Sequence, residues 1–348
     1  MIIYIYKRIT LAILTMIAIS LVTFFVIHAP AGDYVDYLHQ YCSTIQCPYA
    51  VETEEEMEII RNELGINKPM LVQYWDWITP IEFKFDFGMP ARGNKGIWAP
   101  ARLILVEMIP PTLYLAFLTI LITWTLAIPI GIYSAVRQHS IGDYVFTFFG
   151  FTGLAVPDFL LALVVMYLLY AYFDYSVGAL FSGKYQLAPW SVGRVIDMIS
   201  HLTVPALVLG TAGTAALIRI MRNNLLDELT RPYVITAMAK GVSPWKVVLK
   251  YPLRVAINPF ISSIGFILPA LISGSIILSV VMGFPTIGLV LLGAIENEDI
   301  YLAGDIILIL GFMTIIGTLV SDILLMICLL YTSPSPRDAT LSRMPSSA

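Results

Sequence analysis

The chain has 348 residues, 58% of them hydrophobic and only 13% charged, with a mean hydropathy of +0.81. A soluble domain sits nearer half apolar and a quarter charged, so this composition excludes a soluble enzyme or binding module and indicates a polytopic membrane protein. The net charge of −4 sums loops of opposite sign, and the few bases cluster beside apolar runs, which gives no basis for nucleic-acid binding.

Residues 9–29 form the first apolar run, about 30 Å long as a helix and so long enough to cross a bilayer. No cleavage site follows it, so it is expected to stay in the membrane. Lys7 and Arg8 precede it and place the N-terminus in the cytoplasm by the positive-inside rule. Residues 30–100 then carry eleven acids against five bases, a balance that suits an extracytoplasmic segment. Within it, Met57, Ile60 and Leu64 predict a helix over residues 52–64. Its acids suit either a docking face or a solvated helix face. Trp75, Trp77 and Trp98 suit a membrane-interface belt. Cys42 and Cys47 are spaced for a small disulfide loop on an oxidising face, with two free thiols equally admissible; no metal is expected there.

Residues 101–327 read as the transmembrane core. A mixed lead-in over 101–111 ends in Pro110-Pro111, and a second span follows over 112–136. Arg137 and His139 mark a short cytoplasmic turn before a third span over 144–173, long enough to tilt or to break at Pro157. Asp158 is an acid at membrane depth. Two readings stand for it: a group facing the translocation path, able to meet a substrate ammonium, or a helix-start cap bonded to local amides. Residues 174–200 are expected outside. A fourth span over 201–221 carries the small residues Gly210, Ala212, Gly213 and Thr214. Between 222 and 254 there are six bases and two acids, the strongest positive-inside signal in the chain. A fifth span over 258–282 leads to an outer loop with Glu296, Glu298 and Asp299, and a sixth over 305–327 returns inside, with Asp322 read as structural. The expected fold is therefore all-α: six transmembrane helices, both termini cytoplasmic, and no internal repeat.

The basic interruption between the fourth and fifth spans is the most informative stretch. In residues 233–252, YVITAMAKGVSPWKVVLKYP, Gly241 can take the left-handed conformation that ends a helix. Ser243 suits an N-cap and Pro244 the first helical position. The expectation is a helix over 231–240, a turn at Gly241, and a short helix over 244–251 closed by Pro252. Ala237 and Ala239 would let another surface approach the backbone. That is the shape of a cytoplasmic docking elbow.

No HExxH, G-x-S-x-G or Walker-type phosphate loop occurs, so no enzyme activity is expected and any nucleotide hydrolysis belongs to partner subunits. The elbow resembles the coupling loop of ABC-transporter permeases, and Tyr233-Val-x-Thr236-Ala237-x-Ala239-Lys240-Gly241 resembles that of the oligopeptide/dipeptide permease family. Ala29-Pro-Ala-Gly-Asp33, Leu64-Gly-Ile-Asn-Lys-Pro69 with Gln73-Tyr74, Pro110-Pro-Thr112 and Phe284-Pro285 with Gly288 resemble further family segments in the same order. Two departures stand out: Ser279 occupies a place where many relatives carry glutamate, and the usual Asp-Pro-Arg ending is missing. Residues 328–348, CLLYTSPSPRDATLSRMPSSA, resemble a translated sequencing-library adapter and are read as a non-native tail; a disordered Ser/Pro tail is the alternative.

The resemblance implies the permease subunit of an ATP-driven importer of peptides or similar small solutes in a bacterial or archaeal cytoplasmic membrane. It implies a second homologous permease, two cytoplasmic ATPase subunits and an extracytoplasmic solute-binding protein as partners, with no cofactor. Thr236, Ala237, Ala239, Lys240, Gly241, Pro244, Trp245, Lys246 and Pro252 would form the ATPase-coupling site. The rival is an ion-driven secondary transporter, which would call for paired intramembrane charges and inverted repeats. Which cargo is carried (peptide, nickel chelate, sugar or another solute) is left open.

Overall fold

The computed structural model describes residues 2–29, 35–36, 54–84, 101–174, 177–186, 188–296 and 299–332. Among them the long elements are all helices. In chain order these are α1 (Ile2–Ile27), α2 (Glu54–Leu64), α3 (Met70–Lys84), α4 (Ala101–Val136), α5 (Ile141–Ala155), α6 (Asp158–Phe173) and α7 (Val192–Leu229). The series continues with α8 (Pro232–Ala239), α9 (Pro244–Lys250), α10 (Pro252–Ala256), α11 (Asn258–Met282), α12 (Ile287–Glu296) and α13 (Ile300–Thr332). Four helices among the described residues are long and apolar enough to cross a membrane, or six candidate spans if each of two bent helix pairs counts as one. The chain is thus an all-helical, polytopic membrane protein.

Several expected boundaries move. Residues 101–111 are helical from Ala101, so the lead-in is the first part of α4. Pro110 and Pro111 sit inside that helix, where a neighbouring residue or a local adjustment must satisfy the freed carbonyls. The third span does break at Val156-Pro157, between α5 and α6. The fourth begins at Val192 and not near 201, with its apolar window over Val192–Thr211. α11 matches the expected fifth span over 258–282. The loop after it contains α12, bent by 91° from the end of α11. α13 starts at Ile300 and runs on to Thr332, past position 328. The expected helix over 52–64 is α2, whereas α3 was not foreseen: Pro80 lies inside it and argues against a helix on local rules. Cys42, Cys47, Asp33, Glu52 and Trp98 lie outside the described residues.

The chain forms two compact units. One comprises Met1–Ala116, Ala162–Pro205 and Leu271–Ile315. In it α3 packs on α1 and α13 through Phe24, Trp77, Ile78, Ile81 and Leu308. Tyr74 Oη and Ser20 Oγ lie 2.8 Å apart in a hydrogen bond. Trp77 is 8% exposed, so it is a core residue and not part of an interface belt; Trp75 remains exposed. A second core joins Leu105 of α4 to Ile287 and Ala294 of α12 and to Leu302 and Ile306 of α13.

The other unit comprises Phe117–Leu161, Ala206–Ala270 and Ile316–Ala348. Its core joins Ala127, Ile132 and Ala135 of α4, Met221 and Leu225 of α7, Val248 of α9 and Phe260 of α11. Trp124 meets the Phe260 ring edge-on at 5.9 Å. Thr123 and Gly210 approach closely, the threonine Oγ1 lying 3.5 Å from the Gly210 carbonyl, in line with the expected role of the small residues on α7.

Candidate functional site

The expected helix–turn–helix over residues 231–251 is present. α8 ends at Lys240, and Gly241 takes φ +77°. The Gly241 N–H donates to the Met238 carbonyl at 2.9 Å and the Val242 N–H to the Ala237 carbonyl at 3.4 Å. This pair of bonds is a Schellman motif, which satisfies the last carbonyls of the helix and needs the left-handed residue that glycine supplies without strain. The hydrophobic contact that accompanies such a motif is present too. Val242 packs on Val234, Ala237 and Val247. Pro244 then starts α9 with its φ preset and no N–H to satisfy.

Three expectations for the elbow need correction. Ser243 stands at the N-cap position, but its side chain accepts no capping hydrogen bond; the proline alone starts α9. Ala237 is only 8% exposed and is packed inside the elbow, so close approach of another surface falls to Ala239, which is exposed. Pro252 does not close the segment: it is buried and starts a further short helix, α10, after a single junction residue, Tyr251. Tyr251 sits at φ −112°, ψ −76° as the end of one helix and the start of the next.

The packing leaves a defined outer face. Val234, Val247 and Val248 turn inward and are buried. Met238 (45%), Trp245 (55%) and Leu249 (54%) stay exposed, flanked by exposed Thr236, Lys240, Gly241, Pro244 and Lys246. The elbow therefore exposes apolar side chains and bases around a small core of its own. Its approach is fixed by Tyr233, whose hydroxyl donates to Glu228 Oε2 at 2.5 Å, and Arg231 lies 3.5 Å from Glu228 Oε1. Partial burial, and then the bond and charge of Glu228, push the Tyr233 phenol above its usual range, so it remains a donor at physiological pH.

Asp158 is the first residue of α6 and is half-buried. Among the described residues it makes no side-chain hydrogen bond or ion pair, so the capping role is not seen. Ser279, by contrast, is fully enclosed: its hydroxyl donates to the Ser275 carbonyl at 2.5 Å and lies 2.9 Å from Thr286 Oγ1.

One constellation was missed from the sequence. Asp143, in the first turn of α5, is buried and takes a two-point contact from Arg222 of α7, Nε to Oδ1 at 3.1 Å and Nη2 to Oδ2 at 3.0 Å. The His139 N–H also donates to Oδ2 at 3.0 Å, with His139 at φ +62°. Ser140 Oγ caps the same helix by accepting the Asp143 N–H at 3.2 Å. Ser140-Ile-Gly-Asp143 is a capping-box pattern and was the readable signal; its partner, 79 positions on, was not.

Comparison with known proteins supplies the assignment. Residues 127–328 match the family described as "Binding-protein-dependent transport system inner membrane component". Residues 1–94 match the one described as "Binding-prot-dependent transport system membrane comp, N-term". A putative peptide permease protein of Brucella ovis is 30% identical over 326 residues, covering 92% of this chain and 95% of the relative. The oligopeptide transport system permease protein AppB of Bacillus subtilis is 30% identical over 321 residues, covering 92% and 96%. The dipeptide transport system permease protein DppB of Escherichia coli K12 is 27% identical over 337 residues, again covering 92% and 96%. The chain belongs to the binding-protein-dependent transport system inner membrane components, the permease subunits of ABC importers, whose ATPase is a separate polypeptide.

Proposed function

We propose that this permease carries peptides or similar small solutes inward and that residues 231–252 are where the ATPase subunits drive it. The observation that carries this reading is the elbow itself. A helix ended by a Schellman turn and restarted at a proline presents Met238, Trp245 and Leu249 to the outside on a rigid base. A positive-inside loop needs bases but not this turn chemistry or these exposed apolar side chains. The peptide cargo is argued from relatives named as peptide, oligopeptide and dipeptide permeases.

In this reading a second, homologous permease completes the path, two ATPases seat on the elbows, and an extracytoplasmic binding protein delivers cargo to residues 30–100 and the outer loops. Both termini are cytoplasmic, with six spans between them in a bacterial or archaeal cytoplasmic membrane. Nucleotide-driven closure of the ATPases shifts the permease between inward- and outward-open states because the two states differ in how they hold the elbows. Asp158, half-buried and without a partner among the described residues, serves the path. Residues 328–348 replace a natural ending, and the family match stops at 328. If Cys42 and Cys47 pair, they close a loop on the oxidising side.

The test is co-purification of the ATPase subunits from mild detergent, with residues 328–348 exchanged for a relative's ending, in wild type and Gly241→Val. A β-branched residue at φ +77° is strained whatever the space around it. Retention in wild type with loss in the variant supports the elbow as the dock. A wild-type chain that brings down no ATPase would overturn the reading.

A further inference from the structure

Of the six bases between residues 222 and 254, Arg222 is partly withdrawn from solvent while the other five are exposed. It lies on α7 shortly before the elbow and grips buried Asp143 of α5 at two points. Neither residue needs the other for its bland role. Ser140 already caps α5, and a positive-inside arginine needs no fixed partner. Yet the guanidinium is held in a fork whose two N–H groups match the two carboxylate oxygens, the geometry with the strongest orientational preference among side-chain contacts.

The rest of the α5–α7 contact consists of small residues and one ring stack. A methyl group placed on Gly150 would sit 3.8 Å from Ala215 Cβ, and one on Gly153 would sit 3.6 Å from Thr211 Cγ2. Arg219 stacks over the Phe151 ring at 4.6 Å. The two helices therefore run antiparallel, from Asp143 beside Arg222 to Gly153 beside Thr211. Shear is a usual motion of packed helices, and here the Arg219–Phe151 stack and the charge pair both act against it. The Asp143–Arg222 fork supplies a directional hold along this seam.

We infer that the Asp143–Arg222 pair is the strut that makes α5 follow the elbow, so that force delivered at residues 231–252 moves α5 together with the adjoining part of α7. This rests on the reading of the elbow as the ATPase dock. The pair acts as a positioning element, touching neither cargo nor nucleotide. Without it the ATPases still dock and hydrolyse, but part of the motion is lost as slippage between α5 and α7.

The experiment uses the whole importer, reconstituted in vesicles with its binding protein and ATPases, and reads cargo imported per ATP hydrolysed alongside ATPase co-purification. Asp143→Asn and Arg222→Gln are expected to keep the ATPases bound and to lower cargo per ATP by roughly 2- to 30-fold, the range that internal coupling networks carry. The double variant, Asp143→Asn with Arg222→Gln, leaves no uncompensated buried charge and folds even if a single variant does not. Its loss should fall well short of the two single losses combined, the signature of two residues acting as one unit. An unchanged ratio in the double variant would overturn the strut. So would additive losses, or loss of ATPase from Asp143→Asn, since the pair would then shape the dock and transmit nothing. Failure of the elbow reading shows instead in wild type, as absence of any bound ATPase.

Discussion

The Trp77 indole N–H donates to Asp305 Oδ1 at 2.9 Å in a site where both residues are buried. Trp77 belongs to the segment after the first span, and Asp305 to the start of the last. Their bond makes α3 an integral part of the membrane unit that contains it. The same helix is anchored by Tyr74 against Ser20 and Phe24.

Trp77→Phe is expected to lower stability by about 1.5–3 kcal/mol, the usual worth of a hydrogen bond to a charged group, on top of a small packing loss. The check is the thermal unfolding midpoint of the purified protein in detergent, with Trp75→Phe as the exposed control. Equal midpoints for the two variants would show that the buried bond contributes nothing.

Gly131 is a second point where one atom decides. A Cβ there would lie 2.6 Å from Met221 Cβ and 3.2 Å from the Ile218 carbonyl, and Met221 is fully buried. The α4–α7 contact beneath the elbow therefore exists only because position 131 has no side chain. Gly131→Ala should cost about 1–3 kcal/mol by overpacking. Gly183→Ala, with open space around it, should be near neutral. Parallel denaturation of the two variants checks this, and a mild Gly131→Ala would mean that the helices separate easily.

How much of this could be read beforehand follows from the range of the forces involved. The elbow was legible because Gly241 and Pro244 act within one turn of chain. The spans were legible because a bilayer imposes length and hydropathy on any helix that crosses it. What failed were judgements that depend on distant neighbours. Ala237 looked presented until Val234, Val242 and Val247 closed around it, and Trp77 looked interfacial until Asp305 met it. The Asp143–Arg222 fork was invisible for the same reason: each half has a sufficient local explanation, as a helix cap and as a cytoplasmic base. Helix ends shifted where α3 and α4 ran through Pro80, Pro110 and Pro111, as tertiary packing can override a local helix breaker.

The hydroxyls of Ser279 and Thr286 are buried and hydrogen-bonded to one another. Ser279 donates to Ser275, Thr286 Oγ1 accepts the Leu289 N–H at 3.4 Å, and Thr112 Oγ1 accepts the Ile287 N–H at 3.0 Å. Thr286→Val should cost about 1–3 kcal/mol, because it removes the bond to Ser279 and the one from the Leu289 N–H with shape preserved. Ser279→Glu should be far more damaging, because a carboxylate would enter a buried site whose hydrogen-bonding groups among the described residues are hydroxyls and a carbonyl. Expression and thermal midpoints of the two variants rank them, and a well-folded Ser279→Glu protein would mean that the site opens to water.

Asp158 carries the prediction closest to transport. It begins α6 at the Val156-Pro157 break, is half-buried, and bonds to nothing else among the described residues. An acid at membrane depth is costly, and in the proposed path its partner would be the cargo. The cationic end of a peptide is the partner that the relatives' names suggest. If Asp158 meets a cargo ammonium, Asp158→Asn should raise the KM for import about tenfold or more, the loss of one charge-assisted hydrogen bond. ATPase binding should stay as in wild type. An N-acetylated peptide, if carried at all, should be imported equally by wild type and variant, because it has no charge to lose. Matched KM values for the free-amine cargo would remove Asp158 from the path, and an effect on kcat alone would make it part of the hinge at Pro157.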